Sequence, residues 1–390
     1  MQPVHGQTML ATMMLSAMAS AAAPSAITAT ASSRPWTAGW GFAATGGIPP
    51  QPPHMRSYAI NRTVLATFVA NNTGLANGAE LAAEVKSGVV GIGWNLYHSK
   101  TGLDPQKPAG PLGGGIEAYE TQQAAALKKL RPDVGVMVLR NTEVVSVFWT
   151  AAKTAMQNPA LWLQCPPGSG KPCAELWGTD DPKSGPPTLK YFLNFSNPDT
   201  QTWWLNEYIT PALSQPNIDG VYTDCSCGNA KGEKFTSAEA VGRQKAFDAA
   251  RALAAAKGKW FTTWANTGPP PLTSKNCAAV MQQAVAAGKN ASQTLQWHAG
   301  ELRNSGQIPL ENLAGFLLAR GASAMMYLEP YDRPMLARPW SLPGVAEDAD
   351  PGTPTGPATL AGGVWKRSFS AAEVTLDCAA FKGAPSPSSS

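Results

Sequence analysis

The chain has 390 residues, of which 44% are hydrophobic and 14% are charged, and its formal net charge is +4. The low charged fraction argues against a disordered acidic or basic protein. Lys and Arg are scattered without a long basic run, so nucleic acid is not an expected partner. This length is enough for one large barrel or for two ordinary domains.

The first 23 residues resemble a secretory signal peptide, because an apolar run from Met9 to Ala23 contains small residues that fit an A-x-A cleavage pattern. The first eight residues lack the usual Lys or Arg, which translation from Met9 or a plastid transit peptide would explain. The run is shorter than the roughly 20 apolar residues that cross a bilayer, and no later segment is long and apolar enough. We therefore expect a secreted protein without an integral membrane segment, and we expect a monomer.

Six cysteines fit an exported chain that forms disulfides. Cys165 and Cys173 flank a loop that a local disulfide would close. Cys225 and Cys227 are expected to pair with Cys277, with Cys378, or not at all. A zinc site is the weaker alternative, because no C-x-x-C pair and no nearby His completes a tetrahedral set. Glycosylation sequons stand at Asn61, Asn71, Asn194 and Asn290, but Asn194 lies inside a predicted strand, where no glycan is expected.

After an irregular Gly-, Pro- and Trp-rich stretch over 24–60, apolar segments typical of strands alternate with helical segments. Residues 158–190 interrupt this alternation as a Cys- and Pro-containing insertion. The strands are predicted at 63–71, 89–99, 134–141, 191–196, 220–224, 260–266, 292–301 and 322–330, and the helices at 78–88, 116–132, 142–157, 200–215, 237–258, 273–288 and 309–321.

The segment from Tyr191 to Cys227 is interpreted as a strand, a helix and a second strand. Asn197-Pro198-Asp199 breaks the first strand and caps the helix, and Pro216 ends that helix. Two strands joined by a crossover helix form a βαβ unit. Asp224 ends the second strand, where α/β folds collect their chemistry. The alternative is a surface aspartate that caps the following helix.

Nearly continuous apolar strands separated by helices indicate a parallel sheet buried on both faces. A doubly wound α/β sheet and a (β/α)8 TIM barrel both fit this pattern. The absence of a Gly-rich phosphate fingerprint after the first strand favours the barrel. We predict the barrel over 61–382, with an irregular N-terminal extension, a C-terminal β-hairpin from 362–369 and 372–378, and a disordered Ser/Pro tail over 383–390.

Polar, charged and aromatic residues recur at the carboxyl ends of the predicted strands. Amides and carboxylates bind hydroxyl groups, whereas aromatic rings stack on the C–H faces of a sugar. The pattern therefore predicts a carbohydrate site. Its candidate residues are Trp94, Asn95, Arg140, Asn141, Asn194, Asp224, Trp264, Asn266, Trp297, His298, Glu301, Tyr327 and Glu329.

Glycoside hydrolysis uses two carboxyl groups, which are about 5 Å apart in retaining enzymes and ~6.5–9.5 Å apart in inverting enzymes. Asp224 is the predicted nucleophile or base, and Glu301 or Glu329 is the predicted acid. Glu329 alternatively forms a salt bridge to Arg333 or Arg338.

The other site residues have supporting roles. Arg140 is expected to pair with Asp224 and keep it ionised, and His298 is expected to tune the acid or bind a hydroxyl. No metal or cofactor is predicted, because the chain has no H-E-x-x-H motif, no G-x-S-x-G elbow and no phosphate loop. The predicted stacking surfaces are Trp94, Trp264, Trp297 and Tyr327.

Three stretches resemble a family of glycoside-hydrolase-like TIM-barrel proteins that is distantly related to α-galactosidases and endo-α-1,4-polygalactosaminidases. FLNFSNPDTQTWWLNEY with IDGVYTD is similar to the family's D-F-x-N-P-x-x-x-x-W-W and D-G-V-x-x-D run. VMVLRNTEVVSVFW is similar to its R-N strand, and GTPTGPATLAGGVWKRSFSAAEVTLD to its ending. The resemblance implies a barrel with a carbohydrate-facing site in which Asp224 is the strand-end Asp. Asn194 and Asp377 depart from the pattern, which has Asp and Asn there.

The leading hypothesis is a secreted glycoside hydrolase that cleaves O-glycosidic bonds of an extracellular or cell-wall polysaccharide. The alternative is a catalytically inactive carbohydrate-binding barrel. A metal-dependent deacetylase or esterase is a third hypothesis.

Overall fold

The computed structural model describes residues 64–67, 88–93, 115–142, 144–146, 149–177, 188–223, 236–263, 272–288, 295–301, 308–321, 324–329 and 349–387. In β1 and β10, and in β9 apart from Trp297, it describes the backbone alone. Among these residues, no helix is long and apolar enough to cross a membrane.

The strands and helices are numbered in chain order. The strands are β1 Val64–Thr67, β2 Val89–Ile92, β3 Gly135–Leu139, β4 Val144–Ser146, β5 Ala174–Trp177, β6 Thr188–Phe192, β7 Gly220–Thr223, β8 Trp260–Thr263, β9 Leu295–Glu301, β10 Ala324–Glu329, β11 Thr359–Ala361, β12 Val364–Ser368, β13 Ala372–Asp377 and β14 Lys382–Pro387. The helices are α1 Gly115–Leu130, α2 Thr150–Ala155, α3 Pro198–Trp203, α4 Thr210–Ser214, α5 Ser237–Ala256, α6 Cys277–Gly288 and α7 Leu310–Ala319. A 3-10 turn spans Pro159–Leu161, and a π-helical turn, Trp204–Ile209, joins α3 to α4.

The main sheet has seven parallel strands in the order β8-β7-β3-β2-β1-β10-β9. The first strand of the chain lies beside the last one, since Leu65 aligns with Tyr327. From β1, the strands follow in chain order towards β8 on one side, whereas β10 and then β9 lie on the other. This is a cyclic strand order. In the described part of the chain, β8 and β9 are the two ends of the sheet.

The two faces of this sheet are both buried, in different ways. On one face, every second residue of β2, β3, β7 and β8 packs into a hydrophobic cluster that also contains residues of helix α1. We call this the helix face, and its residues are Val90, Ile92, Val136, Val138, Val221 and Phe261. The intervening residues form the opposite face and include Gly91, Met137, Leu139, Tyr222 and Trp260. These residues are buried but do not belong to the helix cluster.

A second, three-stranded antiparallel sheet lies in the connection between β3 and β7, in the order β4-β6-β5. The prediction that Tyr191–Ser196 is the first strand of a βαβ unit is therefore wrong, because β6 pairs with β4 and β5. The predicted helix over 142–157 is also wrong in its first half, where β4 forms and α2 begins only at Thr150. The chain enters this excursion from the carboxyl end of β3.

The helix that precedes β7 runs from Pro198 to Ser214 without a break. The Asn197 side chain accepts the N–H of Asp199 and caps it, as the sequence predicts. Pro211 has no N–H to offer the preceding turn, and the π-helical turn ends two residues before it, at Ile209. Thr236 and Glu239 form a capping box at the start of α5, which is also the predicted helix over 237–258.

The C-terminal sheet is antiparallel, in the order β11-β12-β13-β14. The predicted hairpin is its central pair, β12 and β13. Its residues Trp365, Val374 and Leu376 pack in one cluster with Leu317 of α7. The prediction of a disordered tail is wrong over residues 383–387, which belong to β14. Two prolines in β14 are compatible with a strand because β14 is at the sheet edge.

The described residues contain two disulfides, of the kind that oxidising compartments form. Cys165–Cys173 closes the predicted local loop, with Cα atoms 4.8 Å apart. Cys277–Cys378 joins α6 to the residue after β13 across 101 positions of sequence. Pairing of Cys225 or Cys227 with either of these last two cysteines is therefore excluded. Cys225 and Cys227 themselves lie outside the described residues.

Candidate active site

The carboxyl end of β3 is the best-described part of the candidate site. Arg140 follows the strand directly, and its backbone N–H donates to the Tyr222 carbonyl of β7 at 2.8 Å. The ends of β3 and β7 are thus joined two residues before position 224. The Asn141 side chain accepts the Val144 N–H at 3.1 Å, and the Asn141 carbonyl accepts the Trp204 indole N–H at 3.2 Å. These two bonds turn the chain from β3 into β4.

The Arg140 guanidinium is buried in an ion pair on the helix face. Nη1 and Nη2 donate to the two carboxylate oxygens of Glu120 in α1, each at 2.8 Å. Nε donates to the Tyr208 carbonyl in the π-helical turn at 3.0 Å. The guanidinium carbon also lies 4.4 Å from the ring centroid of Trp149. Arg140 is 2% exposed and Glu120 is 1% exposed, so the pair is shielded from water.

Burial dominates the electrostatics of this pair. It raises the pKa of Glu120 to about 7, although attraction and hydrogen bonding from Arg140 act in the opposite direction. Burial also opposes the charged form of Arg140, but the Glu120 carboxylate outweighs it, so the pKa of Arg140 is raised. The two-oxygen contact needs a carboxylate, so the pair becomes ionic as pH rises above about 7. Burial likewise raises the pKa of Tyr208, whose phenol stays neutral.

The Arg140 guanidinium contacts Glu120, Trp149 and Tyr208, and Nη1 also donates to the Leu139 carbonyl at 2.7 Å. The expected partner, Asp224, lies outside the described residues, as do Trp94, Asn95, Trp264 and Asn266. Arg140 is therefore a buried structural residue in this structure, and its guanidinium is not presented to a substrate. Asn141 is buried as well, at 1% exposure.

Trp297 is completely buried. A Cβ atom built on Gly315 of α7 would lie 2.7 Å from its ring, and its ring centroid is 6.5 Å from that of Phe316. Trp297 therefore packs against α7, and its ring is not free to stack on a sugar as the sequence led us to expect.

Asn194 is not at the end of a strand of the parallel sheet. It follows β6 of the inserted sheet, and its Oδ1 accepts a hydrogen bond from the Ser196 hydroxyl. The expectation that it shares the strand-end position of Asp224 is therefore wrong, for the same reason that the βαβ interpretation is wrong.

Glu301 and Glu329 end two neighbouring strands of the parallel sheet. They are aligned with each other in the register, as are His298 and Tyr327. Between these two pairs β9 contains one residue more than β10, which is a β-bulge. A bulge reverses the alternation of a strand from that point onward, and bulges are common beside active sites.

Two buried polar residues that the sequence analysis did not single out lie at the carboxyl end of β7 and beside Arg140 after β3. The hydroxyl of Thr223, the last residue of β7, is fully buried and makes no hydrogen bond to the described residues. Glu120 had a recognisable signal, because it shares the buried side of α1 with Tyr119, Ala124 and Leu127. An acid on an apolar helix stripe predicts a buried partner. No group of three or more His, Cys, Asp or Glu able to hold a metal is found in the ranges described above.

No protein-family model matches this chain, and no curated protein matches it. Several solved structures are similar to it. The galactosidase domain of the α-galactosidase–sucrose kinase AgaSK is 10% identical over 81% of this chain, with a TM-score of 0.40, and the chain spans 46% of its length. Ega3 of Aspergillus fumigatus, in complex with galactosamine, is 13% identical over 70% of this chain and 93% of its own, with a TM-score of 0.35. An α-amylase from Lactobacillus plantarum is 11% identical over 82% of this chain and 88% of its own, with a TM-score of 0.43. The galactosidase and the amylase are glycoside hydrolases by name.

Proposed function

We propose that the chain is a glycoside hydrolase with a barrel architecture that cleaves O-glycosidic bonds of an extracellular or cell-wall polysaccharide. One observation carries the proposal: three carboxylic residues follow or end strands of the same parallel sheet, on its carboxyl edge. Glu301 and Glu329 end β9 and β10 in register, and Asp224 is the residue after β7. Chemistry in parallel α/β folds collects at this edge.

The carboxylate pair requires the sheet to curl into a barrel. In a flat sheet, β7 is four strand spacings from β10 and five from β9. At about 4.8 Å per spacing this is roughly 19 Å and 24 Å, well beyond the ~5–9.5 Å that a catalytic pair spans. If β8 and β9 meet, β7 and β9 are only two spacings apart around the ring. Glu301 then faces Asp224 across the mouth of the barrel.

Two features of the described sheet support this closure. A barrel brings its last strand back to its first, as β10 and β1 pair here. A barrel also keeps its helices outside, and in the β2–β8 part of the sheet the helix cluster lies on one face, whereas the opposite face is buried without joining that cluster. Tyr222 and Trp260 on that opposite face are large enough to fill a barrel interior.

In this proposal, Asp224 is the nucleophile or base and Glu301 is the general acid, with Glu329 as the alternative acid. Hydrolysis needs one carboxyl group that is protonated and one that is ionised. The bulge in β9 reverses the alternation that starts from buried Trp297, which supports the choice of Glu301 for this role.

The proposed substrate contacts come from the predicted strand-end residues, without those that the structure shows to be buried. Trp94, Trp264 and Tyr327 are the proposed stacking surfaces, and Asn266 and His298 bind hydroxyl groups. Arg140, Asn141 and Trp297 are buried behind the site and support its strands.

The test is hydrolysis of a panel of cell-wall and extracellular polysaccharides, measured as new reducing ends. On a responsive glycan, Asp224→Asn and Glu301→Gln are expected to lose about 10²–10⁴-fold or more in kcat. Asp199→Asn and Glu207→Gln are matched controls, because both residues are exposed on the helix before β7, and they are expected to keep full activity. An Asp224→Asn variant with near wild-type activity would overturn the assignment, and glycan binding without any hydrolysis would support the inactive carbohydrate-binding barrel instead.

A further inference from the structure

We propose that Asn194 is an acceptor site for N-linked glycosylation and carries its glycan on the native fold. Asn194-Phe195-Ser196 is a sequon, and its position in a predicted strand argued against modification. The structure removes that objection. β6 ends at Phe192, and Leu193 makes an isolated bridge with Trp162. Asn194 is thus the first residue beyond the strand pairing. The other three sequons lie outside the described residues.

The backbone around Asn194 forms a turn that leads into α3. The Asn194 carbonyl accepts the N–H of Asn197 at 3.0 Å, and its own N–H donates to the Leu161 carbonyl at 3.0 Å. Both backbone groups are therefore satisfied without help from the side chain. Ser196, the third residue of the sequon, is exposed, and Asn194 is half-buried. Sequons that carry glycans lie on surface loops of this kind.

The oxygen of the Asn194 side-chain amide is hydrogen-bonded, whereas its nitrogen is not. Oδ1 accepts the Ser196 hydroxyl. Nδ2 makes no hydrogen bond to the described residues, and it is not a buried atom. The nitrogen is therefore open to solvent, and a sugar attached to it would break no existing hydrogen bond.

Asn197 provides the contrast within the same turn. Its Nδ2 donates to the Ala160 carbonyl at 2.8 Å, and its Oδ1 caps α3 by accepting the Asp199 N–H. Asn197 also precedes Pro198, so it is not a sequon. Two asparagines three residues apart thus have opposite roles. The Asn197 amide forms hydrogen bonds through both its oxygen and its nitrogen, whereas the Asn194 nitrogen is exposed to solvent.

The modification is a group transfer from an oligosaccharide that is joined to a lipid carrier through a diphosphate. Nδ2 of Asn194 forms a bond to C1 of the first sugar, while the bond from C1 to the diphosphate oxygen breaks. Nδ2 loses one proton, and the lipid diphosphate leaves with the bonding electrons. The fold determines whether the product is tolerated, because the attached sugar must remain outside the packed turn.

The full chain would be secreted from insect cells behind a heterologous signal peptide, with an Asn-Gly-Thr acceptor appended at its C-terminus. Only molecules glycosylated at the appended acceptor are scored, since these have met the transferase. Enzymatic deglycosylation in ¹⁸O water marks each occupied asparagine by mass. We expect the secreted protein to be marked at Asn194 and not at Asn197.

Three variants separate the sequon from the fold. Ser196→Thr preserves the sequon and is expected to keep the mark. Ser196→Ala removes the sequon, and Asn194→Asp keeps the acceptor oxygen but removes the amide nitrogen, so both are expected to lose it. An unmarked Asn194 in molecules that carry the appended glycan would overturn the proposal. So would a mark found only in protein retained inside the cells, because the glycan would then be incompatible with the native turn.

Discussion

Removing the charge of Arg140 tests whether this residue serves the fold, as its contacts indicate. Arg140→Met keeps the length of the side chain but leaves the Glu120 carboxyl buried without its partner. Glu120→Gln does the converse and leaves the guanidinium buried without a carboxylate. Breaking a buried ion pair on one side costs about 3–5 kcal/mol in the free energy of unfolding. Total domain stability is about 5–15 kcal/mol, so either single variant should unfold far more readily than the parent.

The double variant Glu120→Leu with Arg140→Met removes both charges together. Neither charge is then left unpaired, and apolar replacements of buried ion pairs are often neutral or stabilising. We therefore expect the double variant to be more stable than either single variant. The coupling between the two sites should be of the order of 2 kcal/mol or more, since the residues share two hydrogen bonds.

The cost of Arg140→Met should depend on pH. The pKa of Glu120 is raised by burial from 4.5 to about 7 in the folded chain, so its contribution to stability is fully present below pH 4.5 and is lost as pH rises through 7. Without Arg140, the attraction that lowers this pKa is gone, and the loss of stability with rising pH becomes larger. Variant and parent should therefore lose stability in parallel up to about pH 7, where the parent carboxyl ionises. Above that pH the difference between them is expected to grow by up to about 1.4 kcal/mol per pH unit.

Urea unfolding at pH 4.5, 6 and 8 measures these differences, provided that the m-value stays constant. Three results would refute the reasoning: a cost below about 1 kcal/mol at pH 8, a cost that does not change with pH, or simple additivity in the double variant. Any of these would mean that Arg140 and Glu120 do not form the ion pair described above in solution.

Two further changes test the packing that supports the site. Gly242→Ala in α5 should destabilise the chain by about 1–3 kcal/mol or more, because a Cβ there would lie 1.8 Å from the Phe195 carbonyl oxygen. Helix propensity alone would stabilise it by about 1 kcal/mol, so the sign of the change in urea unfolding decides between the two effects. Val241→Ala is the nearly neutral control, because Val241 is 56% exposed. Replacing Cys277 and Cys378 by Ala should cost about 5 kcal/mol, and replacing Cys165 and Cys173 about 2.5 kcal/mol, since the chain-entropy term grows with the closed loop and the loops span 101 and 8 positions. Equal losses for the two disulfides in thermal unfolding would contradict the loop-length argument.

The sequence predicted elements well where local signals were sufficient. The limits of β7, α5 and α1 lie within two residues of the predicted ones, because clear breakers or caps bound these elements. Examples are Pro216 before β7 and the Thr236 capping box before α5. Tyr191–Ser196 had the same kind of apolar, aromatic signal. Its partners are β4 and β5 rather than the parallel strands. A local pattern predicts that a strand forms but does not identify the sheet that it joins.

The candidate site shows a second reason for failure, which is the alternation of side chains along a strand. Selecting residues by their position at a strand end includes both faces equally, because successive side chains point to opposite sides. Arg140 and Trp297 were selected in this way, and both pack towards the helices. Reading the face as well as the position would have required knowing which face the helices cover.

The same alternation argues against the expected pair of Arg140 and Asp224. Along β3, Val138 lies on the helix face and Leu139 on the opposite face, so Arg140 returns to the helix face, where Glu120 meets it. Along β7, Val221 lies on the helix face and Tyr222 on the opposite face, beside Gly91. Continued by two residues, this alternation predicts Asp224 on the face of Tyr222. In the proposed hydrolase, the two side chains would then point away from each other, and Arg140 would not control the ionisation of Asp224. The pH profile of glycan hydrolysis should consequently keep its shape in a folded Arg140 variant, even where the stability of that variant has changed.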